Sequence, residues 1–190
     1  MSENNKKDIF IEGAGIYLRP PTDLDLEGNW YRWFNDAEVT RFEDKGYFAN
    51  SIDKQTSYLE NISQSNTDVV LAIIHNQSNK HIGNVGLHRI NWIHRTAILG
   101  IVIGEKEFWG KGYGKQSWKL ITQYGIEVLN LNKITATMIE GNSRSLACAL
   151  ASGFDIEGTQ KEQMYKHGEY HNLIQVGITK KIWLSGKDNL

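Results

Sequence analysis

The chain has 190 residues, 40% of them hydrophobic and 23% charged, with 21 basic residues set against 22 acidic ones for a formal net charge of −1. That composition suits a globular fold with its own core and excludes wholesale disorder, and the charge balance argues against a dedicated nucleic-acid binder, which needs a basic face. The lone cysteine, Cys148, rules out an intrachain disulfide and a cysteine-based zinc cluster, and no metal site is expected.

The first ten residues, MSENNKKDIF, are polar where a secretion signal needs an apolar run, and no stretch approaches the roughly 20 apolar residues that span a bilayer. A cytoplasmic protein without a membrane partner is the expectation. The two prolines are adjacent, at Pro20 and Pro21, and neither a linker nor a repeat divides the chain. One domain is expected over residues 10–184, with flexible tails at 1–9 and 185–190.

In chain order, Gly15 to Arg19 predicts a short strand stopped by the proline pair. Thr22 to Asp25 is a capping signal, and Leu26, Trp30, Trp33 and Phe34 then share one helix face. A second helix is predicted from Ser51 to about Ser65, with Ile52, Leu59 and Ile62 as its apolar markers. The runs 69–74, 81–90 and 95–103 read as an antiparallel meander. Ile101-Val-Ile103 shows no polar alternation, which predicts burial on both faces in mid-sheet. A helix follows the glycines at 110, 112 and 114, with Trp118, Ile121, Gly125 and Val128 on one side. A strand over 133–139, a short helix from Asn142 to Ser152, and two strands (154–165 and 170–182) around His167-Gly168 complete the pattern.

The chemistry concentrates where the meander's last strand enters the glycine loop. Helix N-termini present unpaired N–H groups and partial positive charge, and glycine lets those amides approach a ligand closely. Lys111 and Lys115 add charge. The segment therefore reads as a phosphate-binding turn, set against the plain alternative of a ligand-free surface turn. Neither the P-loop spacing nor the dinucleotide G-x-G-x-x-G pattern is present.

Trp109-Gly-Lys-Gly-Tyr-Gly114 resembles the coenzyme loop of the GNAT superfamily of N-acetyltransferases, [R/Q]-x-x-G-x-[G/A]. Its aromatic first position is similar to the RimJ/RimL-like branch. Ile16-Tyr-Leu-Arg-Pro20, Trp33-Phe-Asn-Asp36, Ile82-Gly-Asn-Val-Gly86 and Asn142…Gly153-Phe154…Glu157-Gly158 resemble that branch in the same order, so the likeness covers nearly the whole chain. It implies a mixed α/β (α+β) domain with a mostly antiparallel sheet of about seven strands, about four flanking helices and one splayed parallel pair. It implies acetyl-CoA as co-substrate, with backbone groups of Ile101, Val102 and Ile103 on its pantetheine arm. Trp109, Gly110, Lys111, Gly112, Tyr113, Gly114 and Lys115 would hold its pyrophosphate, and Asn142 would lie near the thiol end. Read without the resemblance, Asn142 is a helix N-cap.

Acyl transfer to an amine needs a neutral amine, an oriented thioester carbonyl and a proton for the leaving thiolate. The family's usual acid, a Tyr seven residues after the Asn, is Ala149 here, and its usual base, a Glu five residues before it, is Thr137. Ser145 matches a serine that lies near the coenzyme sulfur in RimL-like enzymes; its plain reading is a first-turn helix serine. For the base, His88 at a strand end and Glu105 are candidates, the ordinary reading of His88 being a surface residue. Cys148, among small apolar neighbours, reads as a buried side chain.

In the same branch an Asp near the acceptor closes a G-x-[YF]-x-D run, and here Gly168-Glu-Tyr-His-Asn172 ends in Asn172. Trp30, Trp33, Tyr47, Phe48 and Trp92 could stack on a sugar ring, although the spacing of Trp30 and Trp33 also reads as helix core. Gly46 to Ser51 resembles members that acetylate amino sugars. The resemblance thus implies transfer to a primary amine by direct attack in a ternary complex, with a small acceptor such as an amino sugar. A protein N-terminus, and a non-catalytic acyl-CoA-binding module, are the alternatives. A homodimer is common in the branch.

Overall fold

The computed structural model describes residues 8–187. Its frame is one eight-stranded sheet, ordered β1-β2-β3-β4-β5-β6-β8-β7. All neighbours run antiparallel except β5 and β6. The strand beyond the expected seven is β1 (Ile11–Glu12), two residues that pair with β2 (Ile16–Arg19).

The single helix predicted after Thr22 is instead two separate turns, α1 (Asp23–Leu26) and α2 (Trp30–Trp33). Gly28 sits in the break, where helix costs about 1 kcal/mol relative to Ala. The apolar face survives the break: Leu26, Trp30, Trp33 and Phe34 pack with Val39 and with Leu59 of α3 (Ile52–Gln64). Ser51 caps α3 through its hydroxyl, which accepts from the Lys54 N–H at 3.2 Å. Ile52, expected as an apolar marker, is exposed.

The meander forms as predicted, as β3 (Val69–His75), β4 (His81–Asn91) and β5 (Thr96–Ile103). The helix after the glycine loop, α4 (Tyr113–Gln123), continues into a wider π-helical turn over Tyr124–Val128. Trp118, Ile121 and Gly125 are buried, whereas Val128 is exposed because the wider turn rotates it off the buried face. β6 (Lys133–Ile139), α5 (Ser143–Leu150), β7 (Asp155–Lys166) and β8 (Glu169–Thr179) follow. The last strand was expected to reach Ile182. It stops at Thr179 because its partner begins at Lys133, and α6 (Lys180–Lys187) takes over.

The main core lies between one sheet face and α4 and α5, with Leu71, Val85, Leu87, Leu99, Ile134 and Ala136 meeting Trp118, Ile121 and Ala149. The α1–α3 cluster covers part of the other face, reaching it at Val102. Among the described residues, no helix is long and apolar enough to cross a membrane.

Candidate active site

The site begins with a parting of two strands. β5 pairs with β6 only at Thr96↔Lys133, Ala97↔Ile134 and Ile98↔Thr135. Beyond Ile98, β5 stays on β4 as far as Ile103↔Gly83, while β6 stays on β8 as far as Ile139↔Leu173. The sheet therefore opens into a V whose limbs are 99–103 and 136–139. This corrects the expectation that Ile101 to Ile103 lie buried on both faces: all three are half-buried, because β6 has left them.

The ladder on β4 fixes what the limb offers. The Gly104 N–H donates to Ile82 O at 2.9 Å, so by antiparallel alternation residues 100 and 102 bond toward β4. The Leu99 carbonyl and the backbone groups of Ile101 and Ile103 then face the opening, while the Leu99 N–H belongs to the Ile98↔Thr135 bridge with β6. Val102 is committed to the ladder, and Leu99, which sequence reasoning passed over, takes its place. The Ile103 carbonyl already accepts the Trp109 indole N–H at 2.7 Å, clamping the loop to the strand end.

Gly110 and Gly112 have φ of +73° and +85°, a left-handed conformation that disfavours any Cβ, and the space where a Cβ would stand is empty to 4 Å. The first intrahelical bond of α4 is Gln116 N–H to Gly112 O, so the N–H groups of Tyr113, Gly114 and Lys115 have no helical acceptor. Tyr113 packs on Phe108 and His75, with ring centroids 6.0 and 5.3 Å away, which makes it an anchor beneath the loop. Lys111 lies over the Phe108 ring, and Lys115 is exposed. Arg144, at the start of α5, stands over the Trp109 ring at 5.5 Å and adds a third cation near the loop.

At the other limb, Asn142 caps α5, its Oδ1 accepting from the Ser145 N–H at 3.2 Å. The N-cap reading is therefore realised. The Ser145 hydroxyl has no hydrogen-bond partner among the described residues and is half-buried. Cys148 faces the loop, where a Cβ on Gly114 would sit 3.7 Å from its sulfur. Burial pushes its thiol pKa up, against a smaller opposing effect of Lys115, so it stays protonated at neutral pH. Ala149 is fully buried, and Thr137 is exposed on β6.

His88 lies within β4, opposite Ile98, rather than at the strand's end. Its Nδ1 is 3.0 Å from Asp68 Oδ1. Glu105 is fully engaged: Oε1 accepts from Asn29 and the Trp33 indole, both at 2.9 Å, and Oε2 is 2.6 Å from Lys80 Nζ. Burial raises its pKa, but these bonds outweigh it and hold the carboxyl below its ordinary value, a structural role that removes it as a base.

At the mouth, Asn172 is held on both sides. Its amide donates to Glu140 Oε2 at 2.8 Å and its oxygen accepts from the Glu162 N–H at 2.9 Å. The exposed Glu140 carboxylate, at the end of the β6 limb, supplies a negative charge beside the position where Asn172 lacks one. Trp30 and Trp33 are buried, leaving Tyr47 and Phe48 exposed on the 40–49 loop. That loop is tied to the β7–β8 tip by Lys166, whose amine donates to the carbonyls of Glu43 and Lys45, and by the Tyr47 hydroxyl on Tyr165 O at 2.7 Å. Among the described residues, no cluster of three or more His, Cys, Asp or Glu is placed to hold a metal.

A parted parallel pair that runs into a glycine loop on a helix N-terminus is a specific arrangement, and one family model matches the chain that carries it: the Acetyltransferase (GNAT) domain, over residues 16–155. The chain belongs to the GNAT acetyltransferases. It is an N-acetyltransferase, of the RimJ/RimL-like group that its loop sequence resembles. The Bacillus subtilis protein named uncharacterized N-acetyltransferase YoaA is 28% identical over 174 residues, covering 90% of this chain and 97% of that one. The spermidine N(1)-acetyltransferase of Escherichia coli K12 is 31% identical over 121 residues, 59% of this chain and 64% of the enzyme. The crystal structure of spermidine N-acetyltransferase from Vibrio cholerae in complex with CoA and spermine superposes with a TM-score of 0.82, covering 90% of this chain and 99% of that one. At 24% identity that likeness shows the fold.

Proposed function

We propose that this acetyltransferase binds acetyl-CoA in the V between β5 and β6 and transfers the acetyl group to a primary amine by direct attack in a ternary complex. The observation that carries this reading is the parting of the strands beyond Ile98↔Thr135, which leaves the Leu99 carbonyl and the Ile101 backbone facing a gap that ends at the glycine loop. The pantetheine arm, an amide chain, would bond to that edge as a strand does. The pyrophosphate would take the N–H groups of Gly110 to Lys115, with Lys111, Lys115 and Arg144 around it. The Vibrio cholerae protein of the same fold was crystallised with CoA.

The acceptor we propose is a small cationic amine, a polyamine before others. Glu140 on the β6 limb would attract it, and the Escherichia coli relative is named for acetylating spermidine. An amino sugar is the second reading, favoured by exposed Tyr47 and Phe48, which could stack on a ring.

Following free thiol release from acetyl-CoA with spermidine, spermine, amino sugars and N-terminal peptides tests both readings. Release with the polyamines above the hydrolysis background is the expected result, and it should weaken in Glu140→Gln through a higher KM. Release with sugars or peptides alone would overturn the polyamine assignment.

The Trp109 clamp gives a second test. Trp109→Phe keeps the ring but strands the Ile103 carbonyl, and should cost about 1 kcal/mol of stability. Calorimetry should also show several-fold weaker acetyl-CoA binding, whereas an unchanged affinity would mean that the clamp does not shape the loop.

A further inference from the structure

We propose that His88 is the general base of the transfer and that Asp68 is the positioning residue that aims it, an assignment that rests on the coenzyme placement above. The ring has a prepared seat. It lies across Gly86 of β4 and Gly100 of β5, where a Cβ would come within 3.1 Å and 3.2 Å of Nε2. A side chain at either position would push the ring away.

Asp68 holds the other edge of the ring. Its Oδ1 faces His88 Nδ1 at 3.0 Å and accepts from the Arg89 N–H at 3.3 Å. Its Oδ2 accepts from the Ser65 hydroxyl at 2.8 Å and the Thr67 hydroxyl at 3.2 Å. Burial raises the carboxyl pKa, but the bonds from Ser65, His88, Arg89 and Thr67 outweigh it and hold the group below its ordinary value. An ionised Asp68 can only accept, so it keeps the proton on Nδ1 and leaves the Nε2 lone pair available.

The backbone is shaped for this contact. The β4–β5 register shifts between His88 and Asn91, and Arg89 adopts φ of +51°, uncommon for a residue with a side chain. That bulge turns the Arg89 N–H onto Asp68. Bulges of this kind re-aim side chains beside active sites.

The position matches the chemistry. Ile98 is the last β5 residue joined to β6, and Gly100 is the next residue on the same face, so Nε2 lies beside the apex of the V. From Ile103 to Leu99 the strand covers roughly 13 Å at about 3.3 Å per residue. A coenzyme held at the loop and paired along that edge therefore delivers its acyl end to the apex. There the amine nitrogen forms a bond to the thioester carbonyl carbon and the C–S bond breaks. The bonding pair leaves on sulfur as the coenzyme thiolate, and the proton shed by nitrogen passes to His88 Nε2.

The test compares wild type with His88→Gln and Asp68→Asn at saturating acetyl-CoA, using whichever amine the acceptor panel selects. Around the pair, the Tyr58 phenol of α3 has its pKa pushed up to about 12 by burial and by the Asp68 charge, so it stays neutral across the assay range. His88→Gln should lower kcat by about 100-fold and abolish the acidic limb that an imidazole base imposes on the pH profile. Acetyl-CoA affinity and Tm should stay near wild type, since the ring is partly exposed. Asp68→Asn should lower kcat by about tenfold with the limb displaced, and Asp68→Glu should recover part of the loss.

A His88→Gln enzyme with kcat within twofold and an unchanged limb would overturn the assignment. So would a loss confined to Tm, which would make the pair a structural pin. If the wild type releases no thiol with any amine while binding acetyl-CoA, the transfer reading itself fails and the base assignment falls with it.

Discussion

Replacing Asp25 with alanine is expected to cost about 3–5 kcal/mol of folding stability, the range for breaking a buried ion pair from one side. Its carboxylate is 3% exposed and meets Arg19 through two bonds, Nη1 to Oδ2 at 2.8 Å and Nη2 to Oδ1 at 2.7 Å. The Thr22 N–H adds a third bond at 2.7 Å, and His81 Nδ1 lies 3.2 Å away. Without Asp25 the Arg19 guanidinium, itself 16% exposed, loses its counter-charge and cannot easily reach water. The joint ties β2, α1 and β4 together, so the α1–α2 wall beside the V should loosen with it. Denaturant unfolding measures the loss, and a change below about 1 kcal/mol would mean that the pair is no more than a surface contact.

The same residue predicts an acid dependence. Burial alone would raise the Asp25 pKa, but the bonds from Arg19, His81 and Thr22 outweigh it and hold the group far below the carboxylate range. A carboxyl depressed in the folded state stabilises the fold at pH above its unfolded value of about 3.9. That contribution is lost as pH falls from there toward the folded value. Asp25→Asn should therefore flatten the fall of Tm below about pH 4 relative to wild type.

Gly104→Ala should be comparably damaging by a different route. Gly104 follows β5 directly, and a methyl group there would overlap the Trp33 indole. The backbone cannot retreat, because the Gly104 N–H bonds Ile82 O, and the indole cannot move without leaving Glu105. Overpacking a core costs up to about 3 kcal/mol, and loss of the Trp33–Glu105 bond adds to it. Gly110→Ala and Gly112→Ala make the control. Nothing stands within 4 Å of a Cβ at either, so each should cost only the left-handed backbone strain of about 1–2 kcal/mol. Those two should weaken acetyl-CoA binding and lower Tm by less than Gly104→Ala does. Equal Tm losses for all three would contradict the contrast.

The sequence by itself determined what depends on neighbours in the chain. The strand, glycine turn and helix around Trp109 to Lys115 were legible because positive φ, unpaired N–H groups and helix periodicity are local properties. The meander and the Ser51 and Asn142 caps were legible for the same reason, and so was the family, whose motifs sit in these segments. Elements whose extent is set by a distant partner were not. β8 ends where β6 begins, Val128 turns outward through a widened turn, and Ile101 to Ile103 are uncovered because β6 diverges after three pairs.

The site divides along the same line. The glycine loop could be read directly, but which backbone groups face the opening between β5 and β6, the Leu99 carbonyl and the groups of Ile101 and not those of Val102, follows from ladders between strands. Asp68 and His88 are twenty residues apart and meet only through the β3–β4 pairing and the bulge at Arg89. Glu140 reaches Asn172 across the β6–β8 ladder. Local chemistry wrote the glycine turn into the sequence. Register, divergence and long-range pairing, which are properties of the assembled sheet, decided the opening, the meeting of His88 with Asp68 and the place of Glu140 beside Asn172.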